Sequence, residues 1–198
     1  PVVDAPCVDI TDAQATRNLV ADAHPDAILH LAGIAFIPRT DVEPGLAFQV
    51  NVNGTLNILD ACLRQAPAAR VLVVSTAHVY GSQTGDIPLA ETSPLRPDSI
   101  YGISKAAADQ LAIFYAARHK LPAMVVRPNN HIGPGQAPQF VIAAFAAQVR
   151  ARAPTIATGN LESRRDFTDV RDVVNAYRLL LEHGGDPHGH DPASRGSL

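Results

Sequence analysis

Tyr101 and Lys105 stand four residues apart in a helix-forming run, Tyr101-Gly102-Ile103-Ser104-Lys105, and so share one helix face one turn apart. A free phenol ionises at a pKa of roughly 10, too high for proton transfer at neutral pH. A lysine ammonium beside it favours the phenolate and draws that pKa toward the working range. Such a pair suits proton transfer to or from a sugar or alcohol oxygen while hydride moves elsewhere. The same spacing also occurs as ordinary packing on Ala-rich surface helices, so the surrounding elements must decide.

The chain has 198 residues, 46% of them hydrophobic, enough to bury a core within one domain. A net charge of −3 gives no electrostatic case for nucleic acid or for an anionic membrane as partner. No apolar run reaches membrane-spanning length and no basic-then-apolar leader precedes the fold. Cys7 and Cys62 match no metal or redox spacing and read as free thiols of a reducing, cytoplasmic compartment. The chain starts at Pro1 and its only methionine is Met124, so a missing natural N-terminus is expected.

Apolar runs alternate with helical patterns, as in a doubly wound α/β fold whose parallel sheet is covered on both faces. Cys7–Ile10 reads as the end of a strand, followed by a helix from about Asp12 to Ala23. A second strand runs from Pro25 into a turn at Ala32-Gly33, where small residues either let the backbone approach a ligand or make a tight turn. A long helix is expected over Val42–Gln65, with Val52, Leu56, Leu59 and Leu63 as its apolar stripe. Asn51 and Asn53 in its middle either face solvent or bond something, and Gly54 suggests close packing. Arg70–Thr76 is the clearest buried strand, and Thr76 sits at its carboxyl end, where open α/β sheets hold ligands. A strand-end hydroxyl can equally satisfy its own backbone.

Residues 82–97 read as a long connecting loop, after which Asp98 or Ser99 caps the helix that carries Tyr101. Leu121–Arg127 is the next strand, ended by Pro128, and Asn129–Gly135 is expected as loop. A helix over about Pro138–Arg152, a short strand Thr155–Ala157 and a last helix over Val170–Glu182 follow. Arg164 and Arg165 in a polar loop either grip phosphate or make surface ion pairs. The tail from Gly184 onward is nearly free of apolar residues and is expected to be disordered. His188 and His190 there lack the fixed geometry a metal needs, so no metal is expected.

Taken in order, these features resemble the extended short-chain dehydrogenase/reductase family of nucleotide-sugar epimerases, dehydratases and reductases. The matching parts are Asp9-Ile10, the DxxxHLAG-like segment from Asp26 to Gly33, Asn51-Val52-Asn53-Gly54-Thr55, and Ser75-Thr76 ahead of Val79-Tyr80-Gly81. They continue with Tyr101 and Lys105, Arg127-Pro128-x-Asn130, and Arg165-Asp166-Phe167. Agreement across so many levels is what makes the assembly specific.

The resemblance implies a Rossmann-like domain over 1–183 with the start of a substrate lobe, and NAD or NADP as cofactor. It implies Tyr101 as catalytic acid/base, Lys105 as its tuner and as a holder of the nicotinamide ribose, and Thr76 on the reacting sugar oxygen. Asp9 and Ile10 would contact adenine, Leu31, Ala32, Gly33 and Pro128 would lie along the cofactor, and Asn51 would order the centre. Asn130 and Arg165 would hold the diphosphate of a sugar nucleotide. The helix faces around Asn51–Leu63 and Tyr101–Ala117 resemble the pair that builds a homodimer in this family.

Members of the family begin with a strand and GxxGxxG, which nothing here matches. The expectation is a chain lacking its first strands and most of its small C-terminal lobe, inactive by itself. Ala77 stands where the family's 4,6-dehydratases resemble one another in a carboxyl residue, and His78 beside it is either a proton carrier or a satisfied loop histidine. The Asn130–Gln136 segment with Phe140-Val141, and Gly159-Asn160-Leu161, resembles the reductases of GDP-4-keto-6-deoxy sugars. The expected reaction is therefore reduction of such a keto group with NAD(P)H. A 4-epimerase with bound NAD and a cofactor-free binding protein are the alternatives.

Overall fold

The computed structural model describes residues 8–82 and 88–184. Cys7 and the tail with His188 and His190 lie outside the described residues. The chain divides into two units, one holding the residues up to Arg127 and from Leu179 onward, the other Pro128–Arg178.

In the first unit the expected strand end at Val8–Ile10 is a turn. The Asp9 carboxylate accepts from the Thr11 N–H at 2.9 Å and the Thr11 hydroxyl at 2.8 Å, and the Asp12 N–H returns to the Asp9 carbonyl at 3.0 Å. A local side-chain acceptor thus folds the backbone back before a ladder can form. Asp12 then caps α1 (Ala13–Ala23) by accepting from Gln14 and Ala15 N–H.

Strands β1 (Ala27–His30), β2 (Arg70–Val74) and β3 (Ala123–Val126) form a parallel sheet in that order, with Ala27 opposite Arg70 and Val71 opposite Ala123. Parallel neighbours need long crossovers, and these carry α4 (Gly54–Gln65) and α5 (Ile100–His119). The two helices pack on each other and on the sheet around Ile58, Leu59, Cys62, Val71, Val73 and Tyr115. Ser99, whose side chain accepts from Gly102 N–H, starts α5.

The long helix expected from Val42 is broken. α2 (Ile37–Val42) and α3 (Pro44–Phe48) precede it, since Pro44 cannot continue a helix but fits a first turn. Residues 49–53 then form a wide π turn in which Gly54 N–H reaches the Gln49 carbonyl five residues back. The extra residue rotates the helix surface. Thr55, Ile58, Leu59 and Cys62 are buried while Leu56 is exposed, so the expected stripe is only partly right. Gly54 meets the expectation of close packing, because a Cβ there would lie 2.4 Å from Ile10 Cδ1.

The second unit pairs β4 (Asn130–Ile132) in parallel with β5 (Phe167–Asp169), Asn130 opposite Phe167. The stretch expected as loop is therefore partly strand. Its partner lies 37 residues away, beyond what local propensity reports. α6 (Val141–Arg150) is shorter than expected, and no strand forms at Thr155–Ala157. There the Ala157 N–H donates to Gln148 Oε1 at 2.7 Å and its carbonyl accepts from Gln148 Nε2 at 3.2 Å, so a side chain takes the ladder's bonds. α7 spans Val170–His183.

Candidate active site

β2 ends at Val74, and the chain continues extended through Ser75 and Thr76 into a short 3₁₀ turn, Ala77–Tyr80. Thr76 Oγ1 accepts the His78 N–H at 3.2 Å, which starts the turn. The first residues of α5 come alongside, close enough that the Thr76 side chain lowers the Tyr101 pKa. Thr76, Tyr101 and Lys105 are all buried, at 6%, 9% and 6% exposure. The three residues expected to do the chemistry are thus on neighbouring elements of one unit. The His78 ring stands edge-on to the Tyr101 ring, centroids 5.7 Å apart.

The electrostatics depart from expectation. Burial raises the Tyr101 pKa above the ordinary phenol value, and the nearby Thr76 side chain offsets only part of this. Lys105 does not pull the phenol down, because it is itself desolvated: burial lowers its pKa to about 8, against the opposing pull of the Asp109 carboxylate. Tyr101 is accordingly held protonated at neutral pH, the state of a proton donor rather than of a base.

Asn51 ties the centre together from the π turn. Fully buried, it accepts the Ile34 N–H at 2.7 Å, donates to the Ile34 carbonyl at 3.1 Å and donates to Ser104 Oγ at 3.0 Å. Ser104 in turn donates to the Tyr101 carbonyl at 2.9 Å. Asn51 thereby fixes the segment after β1 against the helix turn that separates Tyr101 from Lys105. That segment includes Gly33, where a Cβ would stand 3.0 Å from Asn51 Oδ1 and 3.9 Å from Lys105 Nζ. Only glycine leaves this corner open. Leu31, Ala32 and Gly33 are exposed, with Leu31 at 64%.

Ile10 packs against Gly54, and its carbonyl accepts from Asn57 Nδ2 at 2.8 Å, whereas Asp9 is exposed. Pro128, Asn130 and Arg165 belong to the second unit. There Asn130 begins β4 and is half-buried, and Arg165 is exposed, its Nη1 donating to the Arg164 carbonyl at 2.7 Å. Asn129, not Asn130, bonds the Asp166 carboxylate, at 2.9 Å.

Sequence reasoning assigned no role to three groups near the centre. His30 is buried in β1 with Nε2 3.0 Å from Thr55 Oγ1. The Thr55 hydroxyl hydrogen goes to the Asn51 carbonyl at 2.7 Å, so Thr55 can only accept from His30, and His30 is the Nε2–H tautomer. Ser75 has a buried hydroxyl with no hydrogen-bond partner among the described residues. Asp109, fully buried one turn beyond Lys105, forms an ion pair with the partly buried Arg127. The available signals were a histidine inside an apolar strand and a carboxylate four residues after the lysine. Cys62 is free and buried, its thiol pushed up to about 12 by burial. Among the described residues no His, Cys, Asp and Glu cluster could hold a metal, and no helix is long and apolar enough to cross a membrane.

The chain is similar to several known proteins. GDP-6-deoxy-D-mannose reductase of Pseudomonas aeruginosa is 37% identical over 166 residues, 81% of this chain and 55% of that protein. dTDP-glucose 4,6-dehydratase of Xanthomonas campestris pv. campestris is 33% identical over 184 residues, 89% of this chain and 52% of that protein. The solved structure of RMD from Pseudomonas aeruginosa complexed with NADPH superposes with a TM-score of 0.84 at 34% identity, covering 94% of this chain and 65% of that one. The chain thus spans about half the length of the curated relatives it matches. The model of the NAD dependent epimerase/dehydratase family matches residues 6–191, and the chain belongs to that family.

Proposed function

We propose that the protein reduces the 4-keto group of a GDP-6-deoxy-hexose, with Tyr101 as the proton donor. The observation that carries this reading is the buried Tyr101 phenol, kept protonated by burial, on one helix face with the buried Lys105. NAD or NADP, when bound, supplies the hydride. The orphaned Ser75 hydroxyl and the corner left open at Gly33 next to Lys105 fit the nicotinamide end of such a cofactor. Leu31 and Ala32 would lie along it, and Asp9 and Ile10 toward its adenine.

In this reading Thr76 donates to the Tyr101 oxygen, which leaves the phenol's own proton for the sugar oxygen. As negative charge develops on the sugar oxygen, that oxygen would take the Tyr101 proton, and Thr76 would hold the phenolate left behind, while Lys105 would hold the nicotinamide ribose. Asn51 holds the segment after β1 in place during transfer. Asn130 and Arg165 would grip the diphosphate. Ala77 supplies no carboxyl group for water elimination, which favours reduction over dehydration. The similarity to a GDP-6-deoxy-D-mannose reductase supports the GDP sugar. A cytoplasmic homodimer fits the apolar stripe left exposed on α5, where Ile103, Ile113 and Phe114 stand 41–53% accessible.

The test assays the protein as its gene encodes it. Consumption of NADPH or NADH with GDP-4-keto-6-deoxymannose, and a reduced sugar as product, is the expected result. An inverted sugar with cofactor unchanged would make it a 4-epimerase instead. Tyr101→Phe is expected to lower turnover by about a hundredfold or more, and near-normal turnover would remove Tyr101 from the role of acid.

A further inference from the structure

Asp109 follows Lys105 by one helical turn as Lys105 follows Tyr101, so the three make one buried stripe on α5. Arg127, the first residue beyond β3, donates from Nε to Asp109 Oδ2 at 2.7 Å and from Nη2 to Oδ1 at 3.0 Å. This is the two-point grip of a planar guanidinium on a carboxylate. Its Nη1 donates to the Tyr80 hydroxyl at 2.8 Å and to the Glu91 carbonyl at 2.9 Å, and its Cζ lies 5.3 Å from the Tyr80 ring centre. Tyr80 closes the turn that Thr76 opens. One guanidinium therefore joins the helix of Tyr101 and Lys105 to the turn that follows Thr76. Thr76 acts on Tyr101 across these same two elements, which meet closely: a Cβ on Gly102 would lie 2.8 Å from the His78 carbonyl oxygen.

We infer that Arg127 and Asp109 are positioning residues for the Tyr101/Lys105 centre, holding the Thr76 turn and α5 in register beside one another. The inference rests on the reductase reading for its kinetic consequence. Stability alone does not account for the pair, since taking two charges out of water costs about what their attraction returns, and apolar replacements of like size often fold as well. Lysine at 127 could not substitute. It has no fork for the carboxylate and three donors for four bonds. Asp109 also acts on Lys105 directly, its charge opposing the desolvation that lowers the lysine.

The test again uses the protein as its gene encodes it, with NADPH and the 4-keto sugar nucleotide. The double replacement R127M/D109L is expected to keep the urea midpoint and KM near wild type and to lower kcat by about a hundredfold, the effect of roughly an ångström of misplacement. A folded double variant with wild-type kcat would overturn the inference. Should that variant not fold, Tyr80→Phe decides, because it removes one hydrogen bond at the turn and leaves the ion pair. A kcat several-fold lower at unchanged KM supports the positioning role and an unchanged kcat refutes it. Asp109→Asn is expected to move the Lys105 ionisation below about 8, read from the ε-carbon shift by NMR, and an unmoved Lys105 would also count against the pair. That titration needs no turnover. If wild-type protein fails to consume NADPH with this sugar, the reaction reading falls while the Lys105 shift still judges the pair.

Discussion

Lowering the pH from 7 to 5 is expected to cost the fold stability through one residue, His30. Its imidazole is 4% exposed in β1, and burial, with a further push from Lys105, lowers its pKa from 6.5 to about 4. Between those values the unfolded chain binds a proton that the folded chain refuses, so stability falls as pH falls through that window. Each unit of pKa difference corresponds to about 1.4 kcal/mol, and pH 5 lies about a unit and a half below the unfolded value. The loss on going from pH 7 to pH 5 is therefore about 2 kcal/mol from this group. His30→Gln keeps an N–H donor for Thr55 and does not titrate. Urea unfolding followed by far-ultraviolet circular dichroism at both pH values gives the double difference, in which the other histidines cancel. Wild type should lose about 2 kcal/mol more than the variant. Equal losses would mean that His30 is not the buried neutral group described, and the tautomer argument built on Thr55 would fall with it.

Gly54→Ala places a methyl group 2.4 Å from Ile10 Cδ1 and 2.8 Å from its Cγ1. The overpacking should outweigh the usual helical gain and cost about 1 kcal/mol by urea unfolding, whereas a gain in stability would show that Ile10 moves freely. Asn51→Leu strips partners from the Ile34 N–H, the Ile34 carbonyl and Ser104, and should cost about 2–4 kcal/mol. A change below about 0.5 kcal/mol in the same assay would mean that Asn51 does not bind the two segments together.

Much of this protein is written in local pattern. The apolar runs at Ala27–His30, Arg70–Val74 and Ala123–Val126 read as strands, and Arg70–Val74, the central one, is the most buried. The helices between them follow because parallel neighbours must be joined by long crossovers. The spacing of Tyr101 and Lys105 puts both on one face of α5 whatever surrounds them. The order of short motifs identifies the family, since each marks a point where backbone and chemistry constrain the residue type together.

Other features depended on residues far apart in the chain. The strand at Asn130–Ile132 exists only because Phe167–Asp169 lies beside it, and no residue within it announces this. The wide turn at 49–53 turned Asn51 inward and shifted the buried face of α4, so a stripe counted at regular helical spacing could not be right. Charge was the least legible. A lysine one turn from a tyrosine suggests a lowered phenol pKa, but burial of both groups reverses the sign at Tyr101, and burial is a property of the folded packing. The sequence by itself determined that Tyr101 and Lys105 share one face of α5, because helical spacing fixes that locally. Tertiary structure decided their protonation and their clamp, because desolvation and the reach of Arg127 from β3 to Asp109 and Tyr80 arise only when separate elements pack together.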